Sequence, residues 1–422
     1  MYQLENVATL LRAARVGRRL RVGRNVLLLG AVSFFTDVSS EMVATVLPLY
    51  LIYTLGLSPV QFGVIDGVYQ GSTAIVRLAG GVVADRWRRY KEVAAFGYGL
   101  SAICRPALVV VGGAWGALTA VLLLDRTGKG IRTAPRDALI SLSTPPQNLG
   151  AAFGVHRSLD TAGALVGPLL AFAILALAPG EFDAVFVVSF SFALIGLGVL
   201  VLFVENRTGM EPGRALEVPR PSMRSGLRLA TEPGFRRVVV LASGLALATM
   251  SDGFVYLLLQ RRVDFDPTYL PLLFVGTASA FMLLAVPVGQ LADRIGRGKV
   301  FLAGYAILVV IYASLLLPTL GVLGLALILV ALGAYYAATD GVLMALVSTT
   351  LPAEVRASGL AVLVTGTSLA RLLASVAFGA LWSAYSAETA VTTFAVALGI
   401  ATVAAVVLFR GFERRPPAEV AA

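Results

Sequence analysis

Residues 125–137 read DRTGKGIRTAPRD, setting Arg126, Lys129, Arg132 and Arg136 with Asp125 and Asp137 directly behind the apolar run ALTAVLLL. The GKG triplet invites a phosphate-loop reading, but that loop needs a glycine five residues before its Gly-Lys pair and a Ser or Thr after it. Here Leu123 and Gly130 stand in those places, so nucleotide chemistry is excluded. Hydrolytic and zinc chemistry lack their parts as well. The chain has one histidine, His156, and one cysteine, Cys104, too few for a nucleophile and base arrangement or a Cys/His metal centre. No cofactor, no metal and no enzymatic activity are expected.

What the stretch does offer is charge on a helix. Asp125, Lys129, Arg132 and Arg136 follow i, i+4, i+7, i+11 spacing and share one face, with Asp125 positioned to pair with Lys129 one turn on. Arg105 is placed to add to the stripe. Two accounts compete for its excess positive charge. Acids from other segments neutralise it: Asp37 and Glu41, an i, i+4 pair, and Asp160. Alternatively the cations receive an anionic substrate, for which guanidinium groups give planar bidentate recognition. The second half of the chain offers Asp252, Asp340 and Arg371. Asp252 reads either as a proton-carrying carboxylate, with Asp37 and Glu41, or as a structural partner of Arg371. Tyr50, Tyr53, Tyr69, Tyr256, Tyr335 and Tyr336 either line a cavity or belong to interfacial belts. His156 and Arg157 read as an interfacial cap in preference to a proton relay.

The segments that must position these groups are built for oil. The 422 residues are 58% hydrophobic and only 14% charged, where soluble domains carry roughly a quarter charged residues. Apolar windows near the ~20 residues needed to cross a hydrocarbon core recur at 26–53, 61–84, 92–112, 115–139, 152–177 and 184–204. Six more lie at 238–260, 269–292, 300–317, 321–347, 357–382 and 389–410. The pattern predicts an all-α membrane protein with twelve transmembrane helices. An ionisable residue inside such a helix faces a cavity or a partner and marks function.

Basic residues set the orientation. Arg12, Arg15, Arg18, Arg19, Arg21 and Arg24 precede span 1, and the linker and the turns after spans 2 and 8 carry more, whereas the opposite loops hold only Arg261 and Arg262. Both termini are therefore predicted cytoplasmic, in a multi-pass protein of the plasma (inner) membrane. The net charge of +10 reflects topology, and no nucleic-acid partner is expected. Residues 1–24 form a basic tail, read either as mobile or, through Leu4, Val7, Leu10 and Leu11, as a surface-lying amphipathic helix.

The chain also repeats itself. The Pro/Gly/Arg-rich linker 205–236 separates a first unit, 25–204, from a second, 237–411, followed by a short tail, 412–422. GGVVADRWRR at 80–89 answers VGQLADRIGR at 288–297, ALISLSTPP at 138–146 answers ALVSTTLPA at 345–353, and Asp37 answers Asp252. Even span numbers in each unit give the two copies the same orientation, with a substrate site between them. The two Asp-Arg turns, Gly81, Asp85, Arg86 and Arg89 and then Gly289, Asp293, Arg294 and Arg297, resemble the loop signature of the major facilitator superfamily. That resemblance implies two pseudo-symmetric six-helix bundles, with these turns gating the cytoplasmic mouth. Arg126 and Gly130 are similar to the Arg-x3-Gly core of the family's span-4 motif, with Lys129 where glutamine is usual. Gly163, Gly167 and Pro168 resemble part of a span-5 motif of the family's antiporters, with Leu170 and Ala171 in place of its Gly-Gly end. Small residues and proline there favour close packing and a bend.

The expectation is a monomeric secondary active transporter that moves a small organic solute by alternating access, with protons and the bilayer as its other partners. Proton antiport, exporting a drug or metabolite, is favoured on the span-5 motif. Proton symport of an organic anion, a carboxylate metabolite or siderophore, is the alternative, motivated by the positive stripe.

Overall fold

The computed structural model describes residues 23–72, 89–145, 148–206, 229, 232–317, 320–351 and 353–413, and every regular element among them is helical. Hydrocarbon offers backbone groups no partners, so a spanning chain satisfies them within its own helices. In order the elements are α1 (Arg24–Leu49, extended by a π-turn at Tyr50–Thr54), α2 (59–72), α3 (Tyr90–Val111), α4 (Trp115–Leu142), α5 (Leu149–Leu177) and α6 (Phe182–Phe203). After the linker come α7 (Pro233–Leu247), α8 (Asp252–Val263), a 3₁₀ turn at Pro267–Tyr269, α9 (Leu270–Ile295), α10 (Arg297–Leu315), α11 (Val322–Thr350), α12 (Ala353–Ala384) and α13 (Ala387–Glu413).

Among the described residues ten spans are long and apolar enough to cross a membrane. The two other predicted spans have separate explanations. Only residues 59–72 of the second are described. The fourth, α4, is 28 residues long, about 42 Å at 1.5 Å per residue, but its six ionisable residues spoil its hydropathy. Burial departs from that of a soluble protein at both extremes: Arg105 is 1% exposed while Leu177 is 89% exposed. An apolar core remains, but some charges are buried with it and many aliphatic side chains face outward, as a bilayer demands.

Packing repeats between the halves of the chain. Helix α1 lies against α5 and α6, α3 against α4 and α6; in the second half α7 lies against α12 and α13, α10 against α11 and α13. The duplicated sequence thus has a duplicated set of neighbours. Two local features bear on the site. The seventh span, apolar from Pro233 to Val263, is broken at 248–251, where the chain leaves α7 and re-enters as α8 with Asp252 in its first turn. The second Asp-Arg turn passes from α9 to α10 through Gly296 at φ 106°, a conformation that favours glycine. Gly81, Asp85 and Arg86 of the first copy, and the tail 1–22, lie outside the described residues.

The halves meet at the end away from Arg24. Tyr53 Oη donates to Gln260 Oε1 at 2.5 Å, the Val60 amide donates to Ser383 Oγ at 2.9 Å, and Ser375 Oγ donates to Asp66 Oδ2 at 2.8 Å. Phe62 meets Phe254 edge-on at 4.7 Å, and Phe172 lies 5.5 Å from Tyr269.

Candidate functional site

The charged stripe is assembled by glycines. A Cβ on Gly97 of α3 would lie 2.7 Å from the Gly128 carbonyl oxygen, and one on Gly128 would lie 2.6 Å from that of Gly97. The GKG triplet therefore serves backbone contact between α3 and α4. That contact brings Arg105 to Asp125 at 3.1 Å, while Arg126 reaches the other carboxylate oxygen at 2.8 Å. The expected Asp125–Lys129 pair is not formed: two guanidinium groups occupy the carboxylate, and Asp125 is 1% exposed. Arg105 also donates to Ser39 and Ser40 of α1, at 3.3 and 3.2 Å, and Arg126 stacks on the Tyr69 ring at 3.8 Å.

A second correction follows. The stripe does not line a water path along its whole length, because Asp125, Arg126 and Arg132 are buried. Arg132 lies over the Tyr98 ring at 4.5 Å. Arg136 pairs with Asp137 at 2.8 Å and approaches Asp160 at 3.9 Å, and Arg157 holds Asp160 at 3.0 Å. His156 is no interfacial cap: it is buried, 2.8 Å from Ser33 Oγ of α1.

Lys129 stands apart. Among the described residues it makes no ion pair or hydrogen bond, it is only partly covered, and the acids whose charge reaches it are Asp37 and Glu41. Asp37 in turn faces Asp160 of α5, close enough for each carboxyl to feel the other's charge. Two carboxyls so placed disfavour ionising together. The small residues of α5 create the approach: a Cβ on Gly163 would fall 2.4 Å from the Phe34 oxygen and one on Gly167 2.7 Å from that of Val38. Pro168 is buried beside them. Buried Nη1 atoms of Arg105 and Arg132 lack acceptors among the described residues, which leaves donors in reserve for water or ligand.

The second half builds a smaller, tyrosine-rich cluster. Tyr336 donates a short hydrogen bond to Asp252, Tyr256 donates to Thr277 at 2.9 Å, and the Met250 amide, freed by the break in span 7, donates to Tyr312 Oη at 2.8 Å. Arg371 lies 3.9 Å from Asp340, so its ion-pair partner is Asp340 and not Asp252. Gln70, Met250, Asp252, Tyr335, Tyr336 and Arg371 are among the residues around a cavity of about 50 Å³, room for about three or four waters. Of the other aromatics, Tyr50 packs on Phe182 and Phe186 in the core.

Arg89 is exposed ahead of α3. In the second turn Arg297 pairs with Asp293 at 2.9 Å and donates to the Ala345 carbonyl at 3.1 Å, with Gly289 and Arg294 on the same helix, α9. Sequence reasoning missed Asp66, an acid buried in α2 and bonded across to α12. Its signal was present: Gly63, Gly67 and Gly71 flank it one turn apart in an otherwise apolar run.

The sequence matches the Major Facilitator Superfamily over residues 29–284 and again over 240–422. The chain belongs to that superfamily. An uncharacterized MFS-type transporter, MJ1317, of Methanocaldococcus jannaschii is 30% identical over 374 residues, covering 86% of this chain and 89% of that one. The uncharacterized protein Rv2265 of Mycobacterium tuberculosis is 33% identical over 158 residues, 37% of this chain and 38% of its own. Among solved structures, the nucleoside transporter NupG superposes with a TM-score of 0.72 at 16% identity, covering 92% of this chain and 99% of that one. A POT family transporter in complex with a thioalcohol conjugated peptide gives 0.74 at 14%, covering 93% and 97%. At these identities the structural likeness shows the fold. As a member of the superfamily the chain is a multi-pass membrane transporter.

Proposed function

We propose that this transporter couples proton movement to a small organic anion, with proton and anion bound together. The observation that carries this reading is Asp37 facing Asp160 on one side and, on the other, Lys129, which has no ion pair or hydrogen bond among the described residues. With the pair protonated, Lys129 and the spare donors of Arg105 and Arg132 are open to a carboxylate or similar group. With the pair fully ionised, its second negative charge competes for the same cations. Proton and anion therefore favour each other's binding, which is the thermodynamic content of symport.

The reading extends to the architecture: twelve spans in two six-helix bundles, 25–204 and 237–411, joined by the linker 205–236, monomeric, in the inner membrane with both termini cytoplasmic. Contacts between the halves away from Arg24 then correspond to a state closed to the outside. Asp252, with Tyr336, and Glu41 are further proton-handling groups, Asp340 and Arg371 a charge pair of the second bundle. The turns at Gly81, Asp85, Arg86 and Arg89 and at Gly289, Asp293, Arg294 and Arg297 steady the opposite, outward-open state.

The test has two stages. Purified protein in detergent is screened for thermal stabilisation by organic anions, cations and neutral metabolites, because a ligand that binds only the folded state raises its apparent stability. Stabilising compounds are then added to proteoliposomes containing a pH dye. Anion entry accompanied by proton entry, both lost in Asp37→Asn and the affinity lost in Lys129→Ala, is the expected result. Stabilisation only by cations or neutral compounds, or proton movement opposite to the solute, would replace this reading with export by antiport. That second reading draws on the Gly163, Gly167 and Pro168 seam, whose likeness to an antiporter motif is matched by the tight α1–α5 contact.

A further inference from the structure

Glycines set the contact between α2 and α12. A Cβ on Gly63 would sit 2.4 Å from the Ser375 carbonyl oxygen, one on Gly67 2.8 Å from that of Leu372, and one on Gly379 2.3 Å from that of Pro59. Backbone rests on backbone across the two halves of the chain. Inside this seam lies Asp66, 8% exposed. Ser375 of α12 donates to it at 2.8 Å, and Ser251, the residue ahead of α8, and Gln70, one turn on in α2, also lie near it. All three are neutral.

The charged groups nearby do not compensate it. Asp252 of α8 faces Asp66 as a second acid and is itself bonded by Tyr336 of α11. Arg371 of α12, one turn from Ser375, is directed to Asp340 at 3.9 Å. Among the described residues no ion pair reaches Asp66. An ionised carboxyl buried among neutral partners loses its hydration without a counter-charge, whereas the neutral acid gives up far less. Opening the seam would return the group to water and remove the difference.

We propose that Asp66 is a proton latch: the α2–α12 seam closes only with a proton on this carboxyl, making it a second proton site of the cycle, separate from the Asp37–Asp160 pair. Gln70 neighbours Asp66 and also borders the cavity that holds Asp252, which gives the proton a polar exit from the seam. The latch sets when the gate closes; the Asp37–Asp160 pair sets when the anion binds.

The experiment measures the gate without any substrate. Spin labels at Ala114→Cys and Gly321→Cys, exposed positions at the starts of α4 and α11, report the distance between the halves at this end, in a Cys104→Ser background. In the otherwise unaltered protein the ratio of open to closed populations should rise with pH, approaching tenfold per pH unit where a single proton controls closure. Asp66→Asn, nearly the same shape and always neutral, should stay closed at every pH. Ser375→Ala should raise the open fraction throughout and keep the slope. Asp37→Asn should keep the full pH response while losing coupled uptake, so this proposal and the coupling proposal fail separately. A pH-independent distance in the parent protein, or a parent-like slope in Asp66→Asn, overturns the latch. A slope abolished by Asp252→Asn but kept by Asp66→Asn overturns it in favour of Asp252.

Discussion

Gly63→Ala isolates the seam between the halves from the fold itself. The added methyl would stand 2.4 Å from the Ser375 oxygen and 3.2 Å from its carbonyl carbon, and the obstacle is backbone, not the end of a flexible side chain. Relief to an ordinary contact near 3.4 Å needs about 1 Å of separation between α2 and α12, enough to forfeit a quarter to a half of each well across the contact. Overpacking of this kind costs about 1–3 kcal/mol. The methyl clashes only while the seam is shut, so the cost falls on one conformation, and the open-to-closed ratio should rise roughly 5- to 150-fold. Spin labels at Ala114 and Gly321 read that ratio directly. Gly163→Ala is the matched control, since its methyl would lie equally close, 2.4 Å, to the Phe34 oxygen, but within the first half of the chain. Gly163→Ala should lower the unfolding temperature and leave the distance unchanged; Gly63→Ala should do the reverse. A Gly63→Ala protein with the parent distance distribution would refute the claim that this seam is a conformational contact.

Other residues give sharper contrasts. Asp125→Ala leaves the buried Arg105 and Arg126 without their shared counter-charge, a loss of about 3–5 kcal/mol, and should sharply lower the unfolding temperature; a parent-like value would show that other acceptors compensate. Lys129→Ala removes a cation with no partner among the described residues, so the unfolding temperature without ligand should hold while stabilisation by the anion disappears. Asp293 is 63% exposed in its pair with Arg297, and such i, i+4 pairs contribute about 0.3–0.5 kcal/mol; Asp293→Asn should leave thermal stability nearly unchanged, and any effect should appear in the label distances instead.

Much of the architecture was legible because a bilayer imposes a strong rule. Apolar runs of near-constant length and a repeated Asp-Arg phrase need no tertiary knowledge, and the repeated neighbour pairs are the physical form of that duplication. Pairing was less legible. The i, i+4 spacing assigned Asp125 to Lys129, whereas a glycine contact between α3 and α4 brings Arg105 to one carboxylate oxygen and the adjacent Arg126 takes the other. The break in span 7 was similarly hidden: residues 248–251, ATMS, interrupt the helix, yet the mean hydropathy of the span is 1.8. His156 looked interfacial by position, but Ser33 on a neighbouring helix gives it a buried partner.

Asp66 shows why the harder part escapes a linear reading. One acid barely lowers the hydropathy of a 24-residue window, and its partner Ser375 is 309 residues away. Its cost in the membrane depends on whether α12 is in contact, a property of one conformation and not of the sequence. The acids that read as functional from spacing, Asp37 and Glu41, lie near cations in the same half of the chain and can be satisfied whichever way the halves are arranged. An acid whose partners come from the other half changes its surroundings each time the halves separate. Such a group is therefore better placed to sense the conformational step, while acids within one half are better placed to sense the ligand.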